Sequence, residues 1–437
     1  MSNETTTADG GVRKKGKLGQ RIAYACGNLG QSAFYNAMST YFVTYVTSCL
    51  FVSYSKALAA QMIAVITGLI VVIRIAEIFI DPLLGNLIDN TNTKWGRFRP
   101  WQFFGGLISA VLLAVIFSGM FGLVNVNTTL FIVLFVITFI VLDVFYSLRD
   151  ISYWGMIPAL SSDSHERSTY TALGSFGGSI GYNGLTIVVI PIVTYFSYIF
   201  TGKHQESQSG WTCFAIIVAI LGVLTVCSVA FGTKESTNAL RAKAQKNGNP
   251  FEAFKALFQN DQLLWVALSY LLYAIANVAT TGVLMYLFKF ILNNSAAYSI
   301  VGVISVVAGI VMAPLYPILN KRIPRRVLYI VGMTSMIVAY ILLGLFSTNV
   351  TVVFIALVLF YIPGTLIQMT AILSLTDSIE YGQLKNGKRN EAVTLSVRPM
   401  LDKIGGALSN GITGFIAVAA GMTGNATAAD MTPSNIH

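Results

Sequence analysis

The chain has 437 residues, 55% of them hydrophobic and only 11% charged, with a net charge of +10 and a mean hydropathy of +0.68. Soluble domains carry about 25% charged residues, so this composition excludes an ordinary water-soluble fold. The apolar residues fall in runs of roughly 20, each long enough to cross a ~30 Å hydrocarbon core as a helix. The expectation is an all-α, multi-pass membrane protein.

Residues 1–21 form a polar, basic tail without the features of a cleavable signal. Eleven apolar segments follow, at about 22–50, 61–88, 101–123, 128–158, 174–198, 211–232, 262–290, 297–319, 327–346, 351–375 and 396–422. With the N-terminus inside, 21 of the 28 Lys and Arg residues lie in the tail and inner loops and three on the outer side. That bias sets the N-terminus in the cytoplasm and accounts for the net charge without a nucleic-acid partner. The longest inner loop, 233–261, divides an N-terminal bundle (22–232) from a C-terminal one (262–422). A basic loop follows the second segment of each ("KWGRFRP" and "KRIPRR"). Two pseudo-symmetric six-helix bundles are the layout of the major facilitator superfamily. Only five segments fall in the second bundle, so a twelfth helix is expected to be missing and the polar end 423–437 reads as truncated.

Charged residues inside spans are costly, about 2.5–3.5 kcal/mol each at mid-membrane, and usually face a cavity and pair there. In "RIAEIFIDPLLG" (74–85), Arg74, Glu77 and Asp81 are spaced +3 and +4, so they share one helical stripe. Pro82 removes the backbone donor to the Ile78 carbonyl and loosens the helix beside the two acids. Two carboxylates with one arginine leave one negative charge, suited to a proton or Na⁺. In the fourth segment Asp143, Ser147, Asp150 and Trp154 follow at +4, +3 and +4, with Tyr146 adjoining. A carboxylate beside Trp and Tyr is a common way to hold a sugar: the acid takes hydroxyls and the ring faces the C–H surface. Segment eleven adds Arg398, Asp402 and Lys403.

Other chemistry finds little support. No P-loop, HExxH or GxSxG signature occurs, and the Gly-rich "GSFGGSIG" (174–181) lies in an apolar span, where small residues let helices approach closely. The expectation is therefore no enzyme and no organic cofactor. The four cysteines lack disulfide or metal-ligand spacing and are expected as buried free thiols.

The stretches "DPLLGNLIDNTNTKWGRFRPW" (81–101), "YSLRDISYWGMIPALSSDSHER" and "DSIEYGQLKNGKRNEAVTLSVRPMLDKIGG" resemble the glycoside–pentoside–hexuronide:cation symporters. This family includes melibiose permease, and the last two stretches are most similar to the LacS-type lactose permeases of lactic acid bacteria. The resemblance implies that Glu77 and Asp81 form a cation site with contributions from Ser147 and Lys403. It implies that Asp150 and Trp154 hold a galactosyl unit, helped by Arg74 and Tyr146, and that Glu391 takes part in coupling. Lys403 therefore borders both sites. Arg149 has a basic counterpart in LacS-type proteins. Ser32 stands where members with galactoside activity carry an acid, which removes strong hydroxyl acceptors and points to a different or larger glycoside. Lys388 replaces a histidine, which bears on exchange and proton coupling. Many LacS-type chains continue into a domain resembling phosphotransferase IIA proteins, implying phosphotransferase-type regulation through a domain absent here.

The resulting expectation is a multi-pass protein of the bacterial plasma membrane. It imports a galactoside or related oligosaccharide by symport with a cation, H⁺ ahead of Na⁺, and sugar/sugar exchange is compatible with it. Its partners are a small sugar and membrane lipid. An uncoupled exchanger or facilitator, and a membrane sugar sensor without transport, remain the alternatives.

Overall fold

A computed structural model describes residues 10–51, 54, 56–203, 206–235, 255, 257–294, 297–387 and 389–419. Among these residues there is no β-strand, only an isolated bridge between Thr93 and Gly96. The main helices are α1 (Gly10–Asn36), α2 (Lys56–Asn90), α3 (Arg99–Phe117), α4 (Thr128–Gly155), α5 (Ser164–Thr201) and α6 (Gln208–Gly232). They continue as α7 (Asp261–Tyr286), α8 (Tyr298–Arg322), α9 (Arg325–Phe346), α10 (Val350–Asn386) and α11 (Glu391–Ala419). α1 runs on through π-helical turns at Ala37–Tyr41 and Val46–Leu50. Eight of the helices are long and apolar enough by themselves to cross a membrane, and α2 qualifies as a bent pair. Of the expected linker at 233–261, residues 236–254 and 256 lie outside the described residues, as does the expected polar end at 423–437.

Local sequence sets the ends of these helices. Asn127, Ser207 and Asn260 cap α4, α6 and α7 by accepting from the backbone N–H three residues on. Asn349 caps α10 in the same manner, and α10 stops at Gly387, whose φ of +68° suits glycine. Several helices outrun their apolar windows: α5 begins at Ser164 and α10 ends at Asn386, because their polar ends remain helix-forming. Along α8 and α9 large apolar side chains such as Val303, Val307, Ile330, Ile337 and Leu345 are exposed. That arrangement is stable in hydrocarbon and not in water. The four cysteines are free and half-buried, less enclosed than their apolar surroundings suggest.

The chain forms two compact units. Unit 1 comprises residues up to Leu69, Asn92–Ser162 and Leu173–Thr237; unit 2 comprises Ile70–Thr91, Asp163–Ala172 and Asn238 onward. In unit 1, α5 lies on α1 through glycines. A β-carbon at Gly177 would come 2.2 Å from the Ala25 carbonyl oxygen, and one at Gly181 would come 1.9 Å from that of Leu29. Glu235, just past α6, accepts from the backbone N–H groups of Arg97, Phe98 and Arg99 at 2.9, 2.9 and 3.1 Å, at the start of α3. Carboxylates are stabilised at helix N-termini. In unit 2, the C-terminal part of α2 runs antiparallel to the N-terminal part of α11. The Asp89 carboxylate accepts from Ala392 N and Val393 N at 3.0 Å each, and Gly85 lies against the Ala392 backbone, where a β-carbon would be 2.9 Å from its oxygen.

A glycine contact this tight makes a stability prediction. Gly181→Ala is expected to destabilise unit 1 by about 1–3 kcal/mol through overpacking, read as a lower thermal midpoint in detergent. Gly184→Ala, where nothing lies within 4 Å, is expected to leave the midpoint unchanged.

Candidate functional site

Two polar clusters lie among the apolar helices, one in each unit. In unit 2, the α2 axis bends by 50° between Glu77 and Phe79, at the carbonyl that Pro82 leaves without its usual donor. Glu77 and Asp81 flank that bend and are 4% and 0% exposed. The Lys403 ammonium lies between them, 2.8 Å from Asp81 Oδ2 and 3.1 Å from Glu77 Oε2. The antiparallel register explains the meeting. Counting back from Asp89 on α2 and forward from Ala392 on α11, a rise of about 1.5 Å per residue brings positions 77–81 level with 403.

Two carboxylates share one ammonium among apolar helices, and buried acids so placed can exchange a proton or bind a small cation. Arg74, on the same stripe one turn earlier, is half-buried in unit 2. On α11 the neighbouring acid faces elsewhere: Asp402 accepts from Tyr270 OH of α7 at 2.7 Å and lies 3.7 Å from Arg398. The expected coupling acid Glu391 is 0% exposed and pairs with Arg389 at 2.6 Å, which also reaches Gln383 at 2.8 Å. Lys388 lies outside the described residues.

In unit 1, α4 carries the expected sugar-binding residues. Asp150 is half-buried and its Oδ1 accepts a hydrogen bond from Gln31 Nε2 of α1. Trp154, one turn on, is 5% exposed, with its ring edge-on to Tyr153. Tyr146, one turn back, stacks with Phe34 and Tyr35 at ring-centroid distances of 5.4 and 5.9 Å. Ser32 bonds only within its helix among its resolved hydrogen bonds, to Asn28 Oδ1 at 3.3 Å. Ser147 and Asp143 are buried on the same helix. A second α1–α4 contact fixes the register: Tyr24 and Tyr153 stack at 4.2 Å and each donates its hydroxyl to the other's backbone carbonyl, at 3.0 and 2.6 Å.

Unit 1 thus sets Asp150, Trp154 and Tyr146 along α4 with Gln31 bonded to Asp150, whereas Ser32 lies toward Gly178 of α5, where a β-carbon would be 2.9 Å from its hydroxyl; unit 2 brings together Glu77, Asp81 and Lys403. Sequence reasoning missed Gln31. It is 2% exposed, spends its amide N–H on Asp150, and its Oε1 accepts no hydrogen bond among the described residues. Its signal was a set of amides, Asn28, Gln31 and Asn36, within one apolar run. Asp89 was missed as well, because its partners lie 303 and 304 residues away. Arg167 of α5 and Glu380 of α10 pair at 2.5 Å, and Arg325 pairs with Asp377.

Among the described residues the fold is all-helical, with charged clusters among helices long and apolar enough to cross a membrane. Residues 23–437 match the family model described as MFS/sugar transport protein, and the chain belongs to that family. It is 53% identical over 423 residues to a lactose permease of Leuconostoc lactis, covering 97% of this chain and 66% of that one. It is 37% identical to a raffinose carrier protein of Pediococcus pentosaceus, covering 95% and 64%. The chain thus spans about two thirds of the length of these relatives. Among solved structures, the fold matches the Escherichia coli fucose:proton symporter FucP (TM-score 0.63, 16% identity, 92% of each chain) and the proton:xylose symporter XylE (0.59, 15%, 93% and 90%).

The unit 2 triad makes its own prediction. Lys403→Ala leaves two buried carboxylates facing each other, a loss of about 3–5 kcal/mol where a buried charge goes uncompensated. A lower thermal midpoint is expected, with part of the loss recovered in Lys403→Ala/Asp81→Asn. An unchanged midpoint in Lys403→Ala would mean that the ion pair does not hold α11 to α2.

Proposed function

We propose that this protein is a secondary active transporter that imports a galactoside or related oligosaccharide together with a cation. The observation that carries this reading is the buried Glu77–Asp81–Lys403 triad, in which two carboxylates share one ammonium. A proton suits it better than Na⁺, because the Lys403 nitrogen already occupies the position between the two carboxylates that a bound Na⁺ would take. Na⁺ at Glu77 and Asp81 requires that ammonium to move aside. Ser147 and Glu391 contribute to coupling in the same reading.

Asp150, assisted by Gln31, accepts sugar hydroxyls, and Trp154 and Tyr146 offer ring faces to the C–H surface of the sugar. By the resemblance, Arg74, Ser32 and Lys403 serve the sugar as well. Serine at position 32 gives one hydroxyl where an acid would give two strong acceptors, which favours a glycoside other than lactose or one larger than it. Coupling then follows if each ligand favours the occluded form, so that both must bind before the protein switches between inward- and outward-facing states. The basic inner loops set the N-terminus in the cytoplasm of a bacterial cell.

Two substitutions in vesicles separate the parts of this reading. Asp81→Asn is expected to retain sugar binding and lose accumulation against a gradient. Asp150→Asn is expected to weaken sugar binding itself by tenfold or more, on the order of a lost charge-assisted hydrogen bond. Accumulation that survives Asp81→Asn would contradict the coupling assignment and favour another ion site. Flux without accumulation in the unaltered protein would favour an exchanger, and binding without flux a sensor. A panel of labelled lactose, raffinose-type sugars and glucuronides, with pH and Na⁺ varied, identifies the sugar and the ion.

A further inference from the structure

Arg149 precedes Asp150 on α4, and its side chain projects roughly 100° away around the helix. It enters the interior of unit 1 and is 0% exposed. Its Nη2 donates to the Gly27 carbonyl oxygen of α1 and to Thr225 Oγ1 of α6, both at 3.5 Å, the outer limit for a hydrogen bond. Nε and Nη1 have no hydrogen-bond partner among the described residues. Glycine lies against Arg149 on α3, where a β-carbon at Gly105 would be 3.1 Å from Arg149 N and 3.3 Å from its Cβ. One at Gly222 of α6 would stand 3.9 Å from Nη1.

A guanidinium so poorly satisfied is a costly way to fill a core. Replacing buried charges with apolar side chains of similar volume is often neutral or stabilising, so packing alone does not account for this residue. What it touches gives a reason. On α1, Gly27 and Gln31 are one turn apart; on α4, Arg149 and Asp150 are neighbours. Arg149 donates to Gly27, and Asp150 accepts from Gln31. Gln102 of α3 holds the same point of α4 from behind, donating to the Arg149 carbonyl at 2.6 Å. α1 and α4 are therefore joined at two adjacent levels, one of which is the sugar cluster.

We propose that Arg149 is a positioning residue for sugar recognition: it grips α1 at Gly27 and so holds Gln31 against Asp150. Gln31 Oε1 and the Asp150 carboxylate then form a preset pair of acceptors for neighbouring sugar hydroxyls. The proposal rests on the sugar site described above. The Tyr24–Tyr153 bonds set α1 on α4 two turns of α1 away from Gln31, and Arg149 at Gly27 adds the nearer constraint, one turn from it.

The test is sugar uptake and thermal unfolding of R149M, R149K and D150N in the same proteoliposomes. R149M is expected to raise the sugar KM roughly tenfold, the scale of a displaced charge-assisted hydrogen bond. Its Vmax should stay within about twofold and its thermal midpoint should not fall. R149K keeps the charge and one donor but not the fork that spans Gly27 and Thr225, so a partial rescue to roughly threefold is expected. An unchanged KM in R149M overturns the proposal. So does a raised KM accompanied by a lowered midpoint that R149K restores in parallel, which marks a merely structural residue. If R149M does not fold, R149K decides: a raised KM at the wild-type midpoint supports the role, and an unchanged KM overturns it. D150N separates the two levels. Wild-type affinity in D150N sinks the sugar site and this proposal with it, whereas weak binding in D150N with wild-type KM in R149M sinks the positioning role alone.

Discussion

The Lys403 ammonium between Glu77 and Asp81 is the contact on which unit 2 is organised. Three charges in an apolar bundle each carry a desolvation penalty of several kcal/mol, and only mutual neutralisation makes them tolerable there. Two distances near 3 Å contribute to it. Everything that keeps α2 and α11 in register serves that meeting. Asp89 caps α11 at Ala392 and Val393, Gly85 lets the backbones touch, and Pro82 permits the bend beside the acids. A one-residue slip of α11 would turn Lys403 away by roughly 100° and leave the two acids facing each other unneutralised.

Unit 1 solves a different problem with similar means. On the proposed reading a sugar needs acceptors and ring faces held still, and α1 and α4 would supply both. The reciprocal Tyr24–Tyr153 bonds set the inner part of their contact, Gln31 meets Asp150 a turn or two further along, and Tyr146 stacks on Phe34 and Tyr35 beyond. Glycines on α1, α3 and α5 bring the backbones close enough for such short side-chain bridges to form. Polar recognition is confined to a narrow strip, and the outward faces stay apolar for lipid.

Much of this was legible in the sequence, for a physical reason. Hydrocarbon tolerates neither open backbone nor stray charge, so apolar runs report helices and charged interruptions report sites. Glu77, Asp81 and Asp150 announced themselves in that way. Gln31 did not, because an uncharged amide in a span is common and its importance depends on the carboxylate opposite. Asp89 sits in a polar stretch where an acid is unremarked, and its partners come from the far end of the chain. Lys403 was nameable only by resemblance, since composition cannot tell which of the charges on α11 turns toward α2 and which, like Asp402, toward α7. The N-terminal end of α5 and the C-terminal end of α10 extended past their apolar windows, where hydropathy loses its signal although the backbone remains helical.

Proton movement accompanying sugar entry tests the central claim most directly. Vesicles containing the protein, lightly buffered and without an imposed gradient, receive a transported glycoside while external pH is followed. The account predicts alkalinisation outside on sugar addition, absent when Asp81 is replaced by Asn. Sugar entry at the same rate with no pH change, and none in Na⁺ flux, would contradict it.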